Sequence, residues 1–298
     1  MKTRSLSKHA QVQPRKIVLG TCKLSLDVPR IMGIVNNTPD CFSGDGLGGN
    51  VTVAIAKGEQ LFEEGADVVD VGGESTRPGA RPVSLELEIS RTIPVVEALS
   101  QSHAGRVSID TRKPEVAEAA LFAGASVVND VSGLRNPMMT EVVAEHNASV
   151  VIMHMRGEPK TMQINPRYAD VVRDIHTFLS ERIAEAVERG VSPRKIMVDP
   201  GIGFGKTLEH NLQIIARLGE LKDLGKPIVI GLSRKGFIGT ISGAQRDQRV
   251  PGSMAAALVA VQNGANMVRV HDVRETVQAL KVFWAIQSAK RGQRVRTP

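Results

Sequence analysis

Four times along this chain a helical stretch ends in Gly or Asn and runs straight into a short apolar segment. The four are Gly65-Ala66-Asp67-Val68-Val69-Asp70, Gly124-Ala125-Ser126-Val127-Val128-Asn129, Asn147-Ala148-Ser149-Val150-Val151 and Gly264-Ala265-Asn266-Met267-Val268-Arg269. They follow Val53–Glu64, Pro114–Ala123, Met138–His146 and Met254–Asn263, all helix-capable. Gly or Asn there suits the left-handed residue that ends a helix. The run behind it is apolar on successive residues, which is how a strand covered on both faces reads. Counting such runs gives eight: Ile31–Val35, Val68–Val71, Val107–Ile109, Val127–Val128, Val150–Met153, Ile196–Val198, Ile228–Ile230 and Met267–Val270. Helix-capable segments separate nearly all of them, Leu85–Leu99, Tyr168–Arg189 and Leu208–Leu221 among them. Strand–helix alternation requires parallel strands with right-handed crossovers. Eight units in about 250 residues is the count of an α/β (β/α)8 TIM barrel. A doubly wound sheet satisfies the same periodicity. Residues 16–26 read as a short β-hairpin ahead of the first barrel strand, and no Gly-, Ser- or Pro-rich linker divides the chain. The expected organisation is a basic tail and hairpin over 1–27, a barrel over 28–285 and a basic tail over 286–298.

Charge narrows the function classes. The formal net charge is +7, yet residues 1–16 hold five cations and residues 289–298 four, neither with an acid. Residues 17–288 are therefore net −2. The basicity is terminal, and aromatic residues at 3% leave few platforms for stacked bases, so nucleic-acid binding is not expected. Two cysteines, Cys22 and Cys41, are too few for a disulfide framework. No apolar run reaches about 18 residues, and the first residues lack a secretory h-region. A cytoplasmic, membrane-free protein is the expectation.

In a barrel, residues at the carboxyl ends of the strands face the active site. Here these are Asn36, Glu74 to Arg77, Asp110, Asn129, His154, Asp199, Ser233 to Lys235, and Arg269 with His271. Taken singly, each has a plain structural reading as a turn former or helix cap; Asp110 before Thr111 to Pro114 is one example. Eight polar ends together are harder to explain as caps. Lys235, Arg269, His271 and Arg77 suit an anion such as a phosphate. Asp110, Asn129 and Asp199 suit an N–H-rich heterocycle. A phosphorylated nitrogen heterocycle fits both sides. No nucleophile–base pair stands out, which favours direct displacement of a good leaving group. The Gly-rich loops Asn37–Asn50 and Gly72–Pro82 suit lids. Asp199 to Thr207 nearly matches two phosphate motifs and fails both, with Pro200 and Lys206 where Gly is required. His103, His146, His176 and His210 lack ligand spacing. Magnesium bridged to a diphosphate fits, because that ion needs few protein ligands.

In order, the segments Ile31 to Asp40, Gly72 to Gly79, Ser108 to Thr111, Asn129 to Gly133, Met153-His154-Met155, Asp199 to Lys206, Ser233-Arg234-Lys235 and Arg269 to Asp272 resemble the dihydropteroate synthases, a family of pterin-binding enzymes. The resemblance covers roughly residues 28–285. It implies a transferase of folate biosynthesis that joins 4-aminobenzoate to 6-hydroxymethyl-7,8-dihydropterin diphosphate, releasing diphosphate. It implies that Asp110, Asn129, Met153, Asp199 and Lys235 hold the pterin. Asn36, Thr76, Arg269 and His271 would hold the diphosphate, with Asn36 on its Mg2+. Thr76, Arg77, Pro78, Lys235 and Gly236 would meet 4-aminobenzoate. Asp110, Lys235, Arg269 and His271 are the implied catalytic set, and a homodimer is implied. The chain departs from the family pattern at Asn37, Cys41, the Gly44-Asp45-Gly46 stretch and Gly236. Serine is usual at the last of these; its missing hydroxyl bears on affinity for 4-aminobenzoate and for the sulfonamides that mimic it.

The rivals are separable. A methyltetrahydrofolate methyltransferase would share the Asp and Asn contacts but needs no diphosphate site, and Ser75 to Gly79 with Ser233 to Lys235 argue against it. A catalytically silent pterin-binding paralogue is opposed by the intact Asn36, Asp110, Asp199, Lys235, Arg269 and His271.

Overall fold

The computed structural model describes residues 14, 16–20, 22–38, 46–77 and 79–290. It opens with an antiparallel hairpin, β1 (Lys16–Leu19) and β2 (Cys22–Ser25). Eight parallel strands follow: β3 (Arg30–Asn36), β4 (Val68–Gly72), β5 (Val107–Asp110), β6 (Val127–Asp130), β7 (Ser149–Met153), β8 (Ile196–Asp199), β9 (Val229–Gly231) and β10 (Met267–Val270). From β3 to β8 each strand pairs with the next in sequence; β9 pairs with β10, and β10 returns to β3. A parallel bridge between Val198 and Ile228 joins β8 to β9 and closes the ring. This consecutive order has no reversal point, so the doubly wound alternative is excluded.

The helices α1 (Val51–Glu63), α2 (Leu85–Ser102), α3 (Pro114–Phe122), α4 (Pro137–Glu145), α5 (Val171–Glu188), α6 (Leu208–Ala216), α7 (Gly236–Ser242), α8 (Val250–Gln262) and α9 (Val273–Lys290) intervene in the expected alternation. The repeated helix end behaves as its composition requires. Gly65, Gly124, Asn147 and Gly264 all sit at positive φ, between 49° and 115°, which turns the chain directly into the next strand.

Helix bounds shift by a few residues from the periodic reading, and in two helices the cause is local. The first starts at Val171 rather than Tyr168, because the Asp170 side chain accepts the Val172 and Arg173 N–H groups and so caps it. The second stops at Ala216, and Leu218–Leu224 continues as a 3-10 segment. Gly219 is a poor α-helix residue, and burial of Leu218, Leu221 and Leu224 at spacings of three suits three residues per turn.

Strand parity sorts the interior. Alternate residues point outward, and Val69, Val71, Ile109, Val128, Val150, Ile152, Val198 and Val268 form one core with the helices. The inward residues Met32, Val68, Val127, Val151, Met197, Val229 and Met267 form the barrel floor, which Ile17 and Leu19 of the hairpin seal. Two residues further along those strands stand Ile34, Asp70, Asn129, Met153, Asp199, Gly231 and Arg269. The interior thus changes from apolar to largely polar in one rung. Ile17 is fully buried in the plug. Ile17→Ala is therefore expected to lower unfolding free energy by about 3 kcal/mol through lost burial and a residual cavity. Urea unfolding would measure this, and substrate affinity in the folded fraction should not change, because the site is at the opposite end.

Candidate active site

A cavity of about 600 Å³ opens at the carboxyl ends of the strands. Asn36, Thr76, Arg77, Asp110, Asn129, Met153, Asp199, Lys235, Gly236, Arg269 and His271 all line it. Pro78, Cys41 and Gly44 lie outside the described residues, as do residues 1–13 and 291–298. His154, placed on the same ring by sequence, packs instead behind it. Its ring Nδ1 lies 2.9 Å from Lys206 Nζ, and burial together with the Lys206 charge holds it far below the usual imidazole range. The cap reading of Asp110 also fails. Helix α3 begins at Pro114 behind Lys113 with no side-chain cap, and Asp110 is the last residue of β5.

The carboxylate side is built on a buried ion pair that sequence reading missed. Arg269 Nε donates to Asp70 Oδ2 at 2.6 Å, and Arg269 Nη2 donates to Asp110 Oδ2 at 2.6 Å. Asn129 Nδ2 donates to the same Asp70 oxygen at 2.9 Å. Asp70 is fully buried and holds two cavity-lining side chains in place. One signal for it was available: a carboxylate interrupting the β-branched run Val68-Val69-Asp70-Val71. The second oxygens of Asp70 and Asp110 are buried and have no hydrogen-bond partner among the described residues. Burial pushes the Asp110 carboxyl up to about 7; the Arg269 charge opposes this, and Asp70, Glu88 and Asp130 add to it. Arg269 itself is held above its ordinary value, because Asp70 and Asp110 outweigh its burial.

Asp199 is fixed by its own loop. Its Oδ1 accepts the Gly201 N–H at 2.7 Å, and burial raises its pKa against the pull of that bond and of Lys235. Gly201 has φ +68°, and a Cβ there would lie 1.9 Å from the His154 carbonyl oxygen, so no other residue fits. Lys206 locks the far end of the loop: its Nζ donates to the His154 and Phe204 carbonyls as well as meeting the His154 ring. Lys235, opposite, lies with Nζ 4.4 Å above the Phe204 ring. Burial lowers its pKa to about 8, opposed by Asp199 and Asp110.

The loop after β4 is tethered through Glu74, itself a lining residue, to partners beyond the cavity. Glu74 accepts from Arg112 Nε at 2.9 Å, from Lys113 Nζ at 2.7 Å and from the Val83 N–H at 3.1 Å. Lys113 also meets buried Glu88. Glu74 stays charged despite burial, because Lys113, Val83 and Arg112 together hold its pKa below the ordinary value. Ser75, Thr76 and Arg77 are thereby presented to the cavity.

No cluster of three or more His, Cys, Asp or Glu suited to a metal occurs among the described residues. Two oxygen-bearing side chains do flank Gly72. A Cβ on Gly72 would lie 3.5 Å from Asp110 Cβ and 3.7 Å from Asn36 Oδ1, so this glycine lets an amide oxygen and a carboxylate converge. That donor chemistry fits magnesium.

A family model described as "Pterin binding enzyme" matches residues 32–271, which places this barrel in the pterin-binding class. The dihydropteroate synthase of Escherichia coli K12 is 44% identical over 91% of this chain and 96% of its own length. A Yersinia pestis dihydropteroate synthase solved with a sulfonamide drug superposes with a TM-score of 0.89 at 41% identity, covering 92% of this chain and 99% of that one. A Xanthomonas albilineans dihydropteroate synthase in complex with 7,8-dihydropteroate gives 0.82 at 45% identity, with 92% and 99% covered. The chain belongs to the dihydropteroate synthase family.

Proposed function

We infer that this chain condenses 6-hydroxymethyl-7,8-dihydropterin diphosphate with 4-aminobenzoate, giving 7,8-dihydropteroate and diphosphate. The observation that carries this is one cavity lined both by the acceptors Asp110, Asn129 and Asp199 and by Lys235, Arg269, His271 and Arg77. The amide and carboxylates accept the pterin N–H groups, with Met153 against the ring and Lys235 donating to a ring acceptor. Arg77 and Thr76 sit on the loop beside the entrance, where the second substrate arrives. Cleavage of the methylene C–O bond leaves positive charge on the pterin and negative charge on the diphosphate. Asp110 stabilises the first, and Arg269 and His271 the second. The 4-aminobenzoate nitrogen then forms the C–N bond and loses a proton, with no enzyme nucleophile. Magnesium, held by Asn36, would neutralise diphosphate charge.

The decisive experiment is diphosphate release by purified protein with both substrates and magnesium. Release should require 4-aminobenzoate; release without it, or none, defeats the reading. The same reading includes a cytoplasmic homodimer. Exposed Ile241, Val259, Val282 and Ile286 on α7, α8 and α9 supply apolar surface for it, and sedimentation would test the mass.

Gly236 sets the strength of 4-aminobenzoate binding in this reading. A Cβ built on it meets nothing within 4 Å, so a serine fits without displacing a neighbour. Gly236→Ser is expected to lower KM for 4-aminobenzoate about 5-fold, the worth of one added hydrogen bond near 1 kcal/mol. Steady-state kinetics would show it, with KM for the pterin substrate unchanged.

A further inference from the structure

Ser233 stands between β9 and β10 at the cationic end of the cavity. It is buried, and its hydroxyl makes two bonds, both with His271. The His271 backbone N–H donates to Oγ at 3.2 Å, and Oγ lies 3.0 Å from the ring Nδ1. A hydroxyl has a single proton. Giving that proton to Nδ1 while accepting the backbone N–H would satisfy Ser233 toward both groups. The ring is neutral, because burial and then the charges of Arg269, Arg234, Arg246 and Arg77 hold it well below the usual imidazole range. A neutral imidazole that accepts at Nδ1 carries its own proton on Nε2.

The surrounding backbone is fastened on both sides of this pair. Arg234 has φ +56°, a strained conformation for a residue with a side chain. Its N–H donates to Ser253 Oγ at 2.8 Å, and its carbonyl accepts from Arg249 Nη1 at 3.3 Å. Its guanidinium Nε reaches Asp272 Oδ2 at 3.1 Å, and Nη2 reaches Oδ1 at 2.5 Å. Arg234 follows Ser233 and Asp272 follows His271, so this ion pair ties together the two loops that the hydroxyl bridges.

We propose that Ser233 is a positioning residue that holds His271 as its Nε2–H tautomer, so that this N–H donates to the departing diphosphate. The proposal rests on the diphosphate role given to His271 above. The ring keeps its proton throughout. Its donation strengthens as negative charge grows on the leaving oxygen, whereas a ring protonated at Nδ1 would turn a lone pair toward that charge.

The test is ring 15N NMR of the full-length protein at neutral pH, with His271 assigned by its loss in His271→Gln. Wild type should show the proton on Nε2. Ser233→Ala should show mixed tautomers and a kcat lowered roughly 10-fold, with KM for the pterin substrate near wild type. Ser233→Thr, which keeps the hydroxyl, should restore both. A wild-type ring protonated at Nδ1, or at both nitrogens, overturns the proposal even if the alanine variant does not fold. So does a Ser233→Ala variant with wild-type tautomer and kcat. An Nε2–H ring in a protein that releases no diphosphate would leave the tautomer assignment standing and defeat the functional reading instead.

Discussion

Arg269→Ala is expected to lower kcat by about 100- to 1,000-fold, the range for removing one preorganised donor at a developing anion. Steady-state diphosphate release would measure it, with KM for the pterin substrate changed much less. Two consequences distinguish this from simple damage. Arg269 supplies the largest pull holding down the Asp110 pKa, which already stands at about 7. Without it, Asp110 becomes harder to ionise, and the acid limb of the pH–rate profile moves to higher pH. Arg269→Lys keeps the charge but cannot bridge Asp70 and Asp110 with one planar fork, so it should recover only part of the loss. Because the alanine variant leaves Asp70 buried without its cation, stability should also fall by about 3–5 kcal/mol. Turnover is therefore compared in the folded fraction. Wild-type turnover in Arg269→Ala would remove Arg269 from the mechanism.

Asp199→Ala should act on binding instead. It deletes a buried acceptor for the heterocycle N–H groups at a cost of about 2–3 kcal/mol, roughly 100-fold in pterin affinity. Calorimetric titration with a pterin ligand would read it directly. The substitution also leaves the Gly201 N–H without its acceptor. Asp199→Asn, which can still accept that N–H, separates the two effects: the loop stays put while a donor now faces the ligand. Unchanged pterin affinity in both variants would place the heterocycle elsewhere.

Much of this is legible in the amino-acid sequence. The eight strands were marked by apolar runs, four of them behind a helix ending in Gly or Asn, and the structure extends several of them to include their terminal polar residues, such as Asn36, Asp110 and Asp199. Helix ends were less legible. Asp170 and Gly219 act through local hydrogen bonding and backbone preference, which hydrophobic periodicity does not register. His154 shows the limit of reading by position. It follows its strand directly, as Asn36 ends its own, yet its ring turns to Lys206 rather than into the cavity. A strand end specifies an approximate height in the barrel, not a direction.

Asp70 shows the complementary limit. It lies in mid-strand, and no position-by-position reading places it at the site. Neighbouring strands are staggered in a closed barrel, so a mid-strand residue of β4 reaches the level of Asn129 near the end of β6 and of Arg269 in β10. Legible in the chain alone were the alternation of elements, the count of eight strand–helix units and the chemical character of the polar strand ends. Those follow from burial periodicity and turn chemistry, which act over a few residues. The tertiary structure alone decided which carboxylates share Arg269, which hydroxyl meets the His271 ring and which cation sits behind His154. These pairings join residues as far as 199 positions apart, and they depend on stagger and side-chain direction, which exist only once the ring has closed.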